Sequence, residues 1–189
     1  YAESTAYALF FREMIATSDG NLVAILQRQT PTSNDQLVVK MDTLGDWIWA
    51  KKINRPGRYN YFFLLELGNG DIALGGHTDT YLGPDTLLLT MLDPNGSLSR
   101  HREIGDASSS YYFNGMWLSG ATGFQFAYTE RQANGNERNY FVRYISHGWN
   151  FNSLKVHAYA VCGFSGSNGN SYHVRTRAVN GDPQIYYTR

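Results

Sequence analysis

Short apolar or alternating runs, each closed by a glycine-bearing turn, cover most of this chain. Four such runs open it: Leu9–Ala16, Leu22–Arg28, Gln36–Met41 and Trp47–Ile53. Asp19-Gly20 separates the first pair and Leu44-Gly45 the last pair. Asp-Gly between apolar runs is a strong hairpin signal. The polar stretch Gln29–Asp35, with Thr30-Pro31, reads as a longer loop between the second and third strands. No window of useful length shows helical periodicity, so the pattern predicts strands and no helix.

The pattern then repeats. Ser18-Asp-Gly-Asn-Leu-Val-Ala returns as Gly68-Asn-Gly-Asp-Ile-Ala-Leu. Asp35-Gln-Leu-Val-Val-Lys-Met-Asp-Thr-Leu-Gly45 returns as Asp85-Thr-Leu-Leu-Leu-Thr-Met-Leu-Asp-Pro-Asn-Gly96. This alignment puts one extra residue in the second copy's turn and makes Thr90 and Ser99 the counterparts of Lys40 and Trp49. Asn139–Gly148 and Ser171–Gly181 supply a third and a fourth copy. Loops comparable to Gln29–Asp35 are expected at Thr78–Pro84 and Arg131–Arg138. The units span approximately 7–57, 58–108, 109–156 and 157–189, within a single repeat domain covering 1–189. The fourth is short by about one strand. Tyr1–Ala8 is the segment available to complete it.

A four-stranded unit of about 50 residues cannot bury both faces alone, so neighbouring copies must cover them. Radial stacking into blades leaves only short edges. The expected fold is therefore all-β and β-propeller-like, with about four four-stranded antiparallel blades and a terminal blade that is incomplete or shared. Phe62-Phe-Leu-Leu-Glu-Leu and Leu87-Leu-Leu-Thr-Met-Leu are nearly continuous, as strands buried on both faces should be. The last strand of each unit is more polar, as an outer edge should be.

The first unit carries a turn glycine, a lysine in an apolar strand, a second glycine and a tryptophan, at Gly20, Lys40, Gly45 and Trp49. In these features it resembles the pyrroloquinoline-quinone-like repeats of secreted bacterial β-propellers. The resemblance is to a repeat type. It implies the fold, but no cofactor, because none of the arrangement a quinone enzyme needs is present.

Composition narrows the function classes. The chain has 189 residues and zero formal charge, with 16 basic and 16 acidic side chains. A dedicated nucleic-acid surface would show a basic excess. No run approaches the ~20 apolar residues of a membrane helix, so no membrane insertion is expected. Aromatics reach 15% and charged residues only 17%. With the many Tyr, Asn, Ser and Gly, this points to an extracellular or cell-surface protein. Cys162, the single cysteine, sits in an apolar run and reads as a small buried hydrophobe.

Several residues remain as candidates for chemistry. Lys40, with Arg143 and Arg175 at the matching places of later copies, is either one of a ring of cations or a stem laid on the next blade with its head paired. The second reading is favoured. Trp49 and Trp117 are assigned to packing, whereas Trp47 and Trp149 stand beside turn glycines and are assigned to the surface. An exposed aromatic stacks on a sugar ring or plugs into a partner. His77 and Tyr81, at the start of and within the second unit's long loop, complete the candidate binding set. The five histidines show no metal-ligand spacing, and no metal site is assigned. Asn95-Gly-Ser matches a glycosylation acceptor, but turn chemistry accounts for it.

Two function classes follow. One is an extracellular binding or structural module that recognises a glycan, a protein or further copies of itself. The other is a carbohydrate hydrolase on a propeller scaffold, which needs two carboxylates at matched separation. Glu66, Asp71, Asp85 and Glu130 are available, and no pattern singles out a pair. The first class is favoured and no catalytic residue is assigned. The pattern predicts a far-ultraviolet circular dichroism spectrum of β-structure. A helix fraction near the globular average of about one third would refute it.

Overall fold

The computed structural model describes residues 8–29, 34–53, 59–79, 83–118, 123–145, 152–155, 160–165, 171–179 and 182–188. Among them are strands and turns and no helix. The strands form antiparallel meanders. The first sheet is β1 (Ala8–Ala16), β2 (Leu22–Gln29), β3 (Asn34–Met41) and β4 (Trp47–Ile53). The second is β5 (Tyr59–Glu66), β6 (Ile72–Thr78), β7 (Leu87–Leu92) and β8 (Leu98–Ile104). The third is β9 (Ser109–Leu118), β10 (Gly123–Gln132), β11 (Glu137–Ile145) and β12 (Asn152–Lys155). The fourth is three-stranded: β13 (Ala160–Ser165), β14 (Ser171–Val179) and β15 (Asp182–Thr188).

The sheets stack in chain order, first strand against first strand: β1 on β5, β5 on β9, β9 on β13. Two apolar layers result. Val23, Ile25 and Val38 of the first sheet meet Tyr61, Leu64, Ile72, Leu74, Leu88 and Leu92 of the second. Leu67, Ala73, Leu87, Leu89 and Met91 of the second meet Tyr111, Phe113, Phe124, Phe126 and Val142 of the third. β7 is buried at every position, and β4 and β8 are mostly exposed, as their composition predicts. Each fully buried Leu, Val or Phe side chain contributes roughly 1.5–3 kcal/mol.

Among the described residues one turn is used five times. Thr17 N donates to Asn21 O at 2.8 Å and Gly20 N to Thr17 O at 2.9 Å. The same two bonds recur over 42–46, 67–71, 93–97 and 132–136. In the 42–46 and 93–97 turns an aspartate also accepts two backbone N–H groups, from Leu44 and Asp46 and from Asn95 and Ser97. Gly45 and Gly96 are thus equivalent. Gly148 and Gly181 lie outside the described residues, between strands that pair with each other.

This turn corrects the repeat register. The 42–46 and 93–97 turns have the same length, so the second unit's extra residue falls between β6 and β7 instead. Val23 pairs with Lys40, and its counterpart Ala73 pairs with Met91. Lys40 therefore corresponds to Met91 and not Thr90, and Trp49 to Arg100 and not Ser99. The expected long loop at Arg131–Arg138 is also wrong. Gln132-Ala-Asn-Gly-Asn136 makes the tight turn, and β10 and β11 pair right up to it. Ala8 pairs with Gln29 inside the first sheet, while the rest of the proposed closing segment, Tyr1–Tyr7, lies outside the described residues.

Trp49 ties the first unit to the second. Its indole Nε1 donates to Pro94 O at 3.1 Å, and its ring lies over Gly96. A Cβ on Gly96 would stand 2.8 Å from that ring, and φ is +77° there. Gly20 has φ +82° with nothing within 4 Å. Gly20→Ala should therefore cost only the backbone penalty of about 1–2 kcal/mol. Gly96→Ala should cost a further ~1 kcal/mol or more, because the Trp49 ring must move. Equal losses in paired thermal melts would show that the Trp49 contact contributes nothing.

Candidate functional site

The first and second sheets are packed tightly at their inner and middle strands and part at their outer ones. A cleft of about 220 Å³ opens there. One wall is the end of β4, with Lys51, Lys52 and Ile53. The other comes from the second sheet: Tyr59 and Tyr61 on β5, Thr90 and Leu92 on β7, and Leu98 and His101 on β8. Ser97 and Gly96 close one end. Edge strands alternate polar and apolar side chains, so β4 and β8 each supply both kinds of wall.

The floor is a chain of hydrogen bonds. Tyr61 Oη is 2.6 Å from Thr90 Oγ1, which is 2.8 Å from His101 Nδ1. His101 Nε2 lies 3.3 Å from Glu103 Oε1, which also accepts the Tyr59 hydroxyl at 2.9 Å. The Tyr59 and His101 rings meet edge to face, 6.3 Å apart. Gln36 holds Tyr61 from the first sheet. Its Oε1 accepts Tyr61 N at 2.7 Å and its Nε2 donates to Tyr61 O at 3.2 Å. This locks the two sheets together beneath the cleft. Lys52 is pinned to Asp35 at 2.9 Å, beside Arg28 at 2.6 Å on the same carboxylate oxygen. Lys51 is exposed at the rim.

A second polar region follows the innermost strands. β1, β5 and β9 each carry a bulge, at Arg12, Phe62 and Asn114. An extra residue there bends the strand and re-aims the side chain. The Arg12 guanidinium hydrogen-bonds Gln27 and lies 5.9 Å from the centre of the Phe62 ring. His77 packs 5.0 Å from Phe62 and 5.6 Å from Tyr112, and its Nδ1 accepts Phe113 N at 3.4 Å. Burial lowers the His77 pKa, against the partial opposition of Asp85 and Asp79. Beside Arg12, burial raises the Glu13 carboxyl pKa against the hydrogen bond it accepts from Leu64 N.

The sequence-derived candidates do not converge. His77 lies in this inner region, half-buried among aromatics. Trp47 is 57% exposed at the start of β4, where it pairs with Met41, and it is not part of the cleft. Tyr81 and Trp149 lie outside the described residues. Trp117 is buried as expected, with Nε1 donating to Gln125. The carboxylates considered for hydrolysis have structural partners. Glu66 accepts Ser18 N and Oγ, Glu130 accepts Ser109 and Tyr140 hydroxyls, and Asp71 accepts Asn69 Nδ2. Among the described residues no group of three or more His, Cys, Asp and Glu side chains stands close enough to hold a metal ion.

The residues that build the cleft floor went unmarked in the sequence reading. Thr90 was noted only as a lysine replacement and His101 only as one of five histidines. Their signal is positional, since β7 and β8 pair Thr90 directly with His101. That pairing becomes visible only once the register is corrected.

Stacked four-stranded antiparallel sheets define a protein of the β-propeller class. No family model matches the chain, and no curated protein matches it. Among solved structures it is similar to the Hadza microbial sialidase Hz136, with a TM-score of 0.64 and 14% identity. That match covers 96% of this chain, which spans 44% of the sialidase chain. A match to the WD40 domain of SCAP from fission yeast has a TM-score of 0.27 and 9% identity, over 100% of this chain and 66% of that one.

Lys40 illustrates how a suspected site residue is a packing device. It is 6% exposed, and its Nζ meets Asp19 Oδ2 at 2.6 Å. The ammonium, with the Thr17 hydroxyl, holds the Asp19 carboxyl well below the usual carboxylate range. A carboxylate with a depressed pKa adds stability that is present above its unfolded value and is lost as pH falls through the folded one. Asp19 is half-exposed, so Asp19→Asn should cost only about 1–2 kcal/mol at neutral pH. The variant should also show a flatter acid limb in unfolding titrations. Parallel acid limbs in the two proteins would sink this account.

Proposed function

We propose that this chain is an extracellular binding module on a propeller scaffold, built from repeats of the pyrroloquinoline-quinone-like type, that holds one sugar ring in the cleft between its first two sheets. The cleft is the observation that carries the proposal. Its ~220 Å³ is below the roughly 300–1,000 Å³ of drug-sized sites, which suits a single ring. Ile53, Leu92, Leu98 and the Tyr59 ring offer apolar surface for the C–H face of a sugar. Ser97, His101 and the rim lysine Lys51 offer polar groups for its hydroxyls or for an acidic substituent. The Gln36 lock and the Tyr61–Thr90–His101 chain keep the floor rigid before a ligand arrives, which lowers the ordering cost of binding.

A glycan array followed by calorimetry tests this. Tyr59→Ala and Lys51→Ala should each weaken binding of the captured glycan about tenfold, a loss of about 1.4 kcal/mol. Trp47→Ala should leave binding unchanged. Loss of binding with Trp47→Ala and retention with both cleft variants would move the site to the exposed tryptophan. Turnover of a captured glycoside would favour the hydrolase class.

A further inference from the structure

We propose that the ring held in the cleft belongs to an acidic sugar, whose one carboxylate or sulfate ester sits against Lys51 at the rim. The inference rests on the cleft reading above and narrows its ligand class. It follows first from how the floor directs its hydrogen bonds. An ionised carboxylate only accepts, so Glu103 Oε1 receives both the Tyr59 hydroxyl and the His101 Nε2–H. In the neutral imidazole this leaves the lone pair on Nδ1, which accepts the Thr90 hydroxyl. Thr90 Oγ1 in turn accepts the Tyr61 hydroxyl. One direction therefore runs from Tyr61 through Thr90 and His101 to Glu103. Tyr61 and Thr90 are 0% and 2% exposed. The floor uses most of its hydrogen-bonding capacity on itself. A neutral sugar pressed against it would leave several hydroxyls desolvated and unpaired.

The polar capacity that remains lies at the rim. Lys51 pairs with Val38, a residue of the apolar layer between the first two sheets, so its side chain leaves β4 on the cleft side. It is exposed, and among the described residues it has no ion-pair partner. Its neighbour Lys52 meets the same Asp35 oxygen as Arg28, two cations on one carboxylate, so this wall keeps positive charge in excess. No Asp or Glu stands among the described lining residues. Exposed Ser97 adds a hydroxyl at the end of the cleft. An unpaired ammonium beside Ile53, Leu98 and the Tyr59 ring fits a ligand that turns C–H surface to the walls and a single negative group to the rim.

Calorimetry on the full chain with the methyl glycosides of glucose, glucuronic acid and glucose 6-sulfate, and with their galactose counterparts, tests this. Within each series the sugars differ only at the sixth carbon. In at least one series an acidic sugar should bind about tenfold more tightly than the neutral one, and added sodium chloride should erase that advantage. A preference for the carboxylate, for the sulfate or for both supports the inference and identifies the source of the charge. Lys51→Gln should bring acidic and neutral sugars to equal affinity, whereas Lys51→Arg should keep the preference. Acidic sugars that bind no more tightly than neutral ones would overturn the inference and leave the cleft reading standing. A preference that survives Lys51→Gln would overturn it too, since another cation would then hold the acid. If none of these sugars binds, the inference and the cleft reading fall together.

Discussion

The packing of one four-stranded sheet on the next governs this molecule. The middle strands are apolar on both faces. Val23 and Ile25 point one way from β2, Ala24 and Leu26 the other, and β7 is buried throughout. A sheet of this kind has no solvent side. It is stable only between two neighbours, and its edge strands are the only places where charge is inexpensive. Lys51, Lys52, Arg100, Arg102 and Glu103 accordingly fall on β4 and β8.

That constraint also explains where the glycines and polar cross-links sit. β6 contains Gly75 and Gly76 because neighbours approach too closely for a side chain. A Cβ on Gly75 would stand 2.5 Å from the Phe113 ring of the third sheet. The space so released is filled by aromatic stacking, with Phe113 on Phe126 at 5.4 Å and Tyr128 on Tyr140 at 4.8 Å. Among the described residues specific polar contacts also join the sheets. Ser18 binds Glu66, Gln36 binds the Tyr61 backbone, and Trp49 binds Pro94 O. Each joins one unit to the next at a defined height, so these contacts set the registration of sheets that apolar packing alone would let slide.

Much of this was legible in the sequence, because hairpin chemistry and strand burial are local. Asp19-Gly20 and the apolar runs place β1 to β4 within two residues of their ends. The recurrence of a cation at position 40 suggested a paired head, and the Lys40 ammonium meets Asp19. Register was less legible. A lone extra residue can be absorbed in a turn or in a loop, and only the hydrogen bonds of the 93–97 turn show that it is not in the turn. The third unit misled for a related reason. Gln132-Ala-Asn-Gly-Asn136 carries the turn signal seen between the first two strands of earlier units, but here it joins the second and third. The cleft was invisible, since Tyr59, Thr90 and His101 are far apart in sequence and meet only through pairing and sheet packing.

The twist that lets inner strands pack closely makes outer strands diverge, and the first junction is accordingly dry near its inner strands and open at its rim. At the first junction the dry part holds Val23, Ile25, Ile72 and Leu74, with Thr90 and His101 at the floor of the cleft and Lys51, Lys52 and Ser97 at its rim. Under the proposed function recognition falls to the rim, where Lys51 and Ser97 are exposed. Cohesion belongs to the inner and middle strands, which supply most of both apolar layers. Exposed edge positions such as Lys51 and Leu98 can vary without disturbing the packing, whereas Trp49, Ile53 and Ile104 of the same strands pack against the apolar layers.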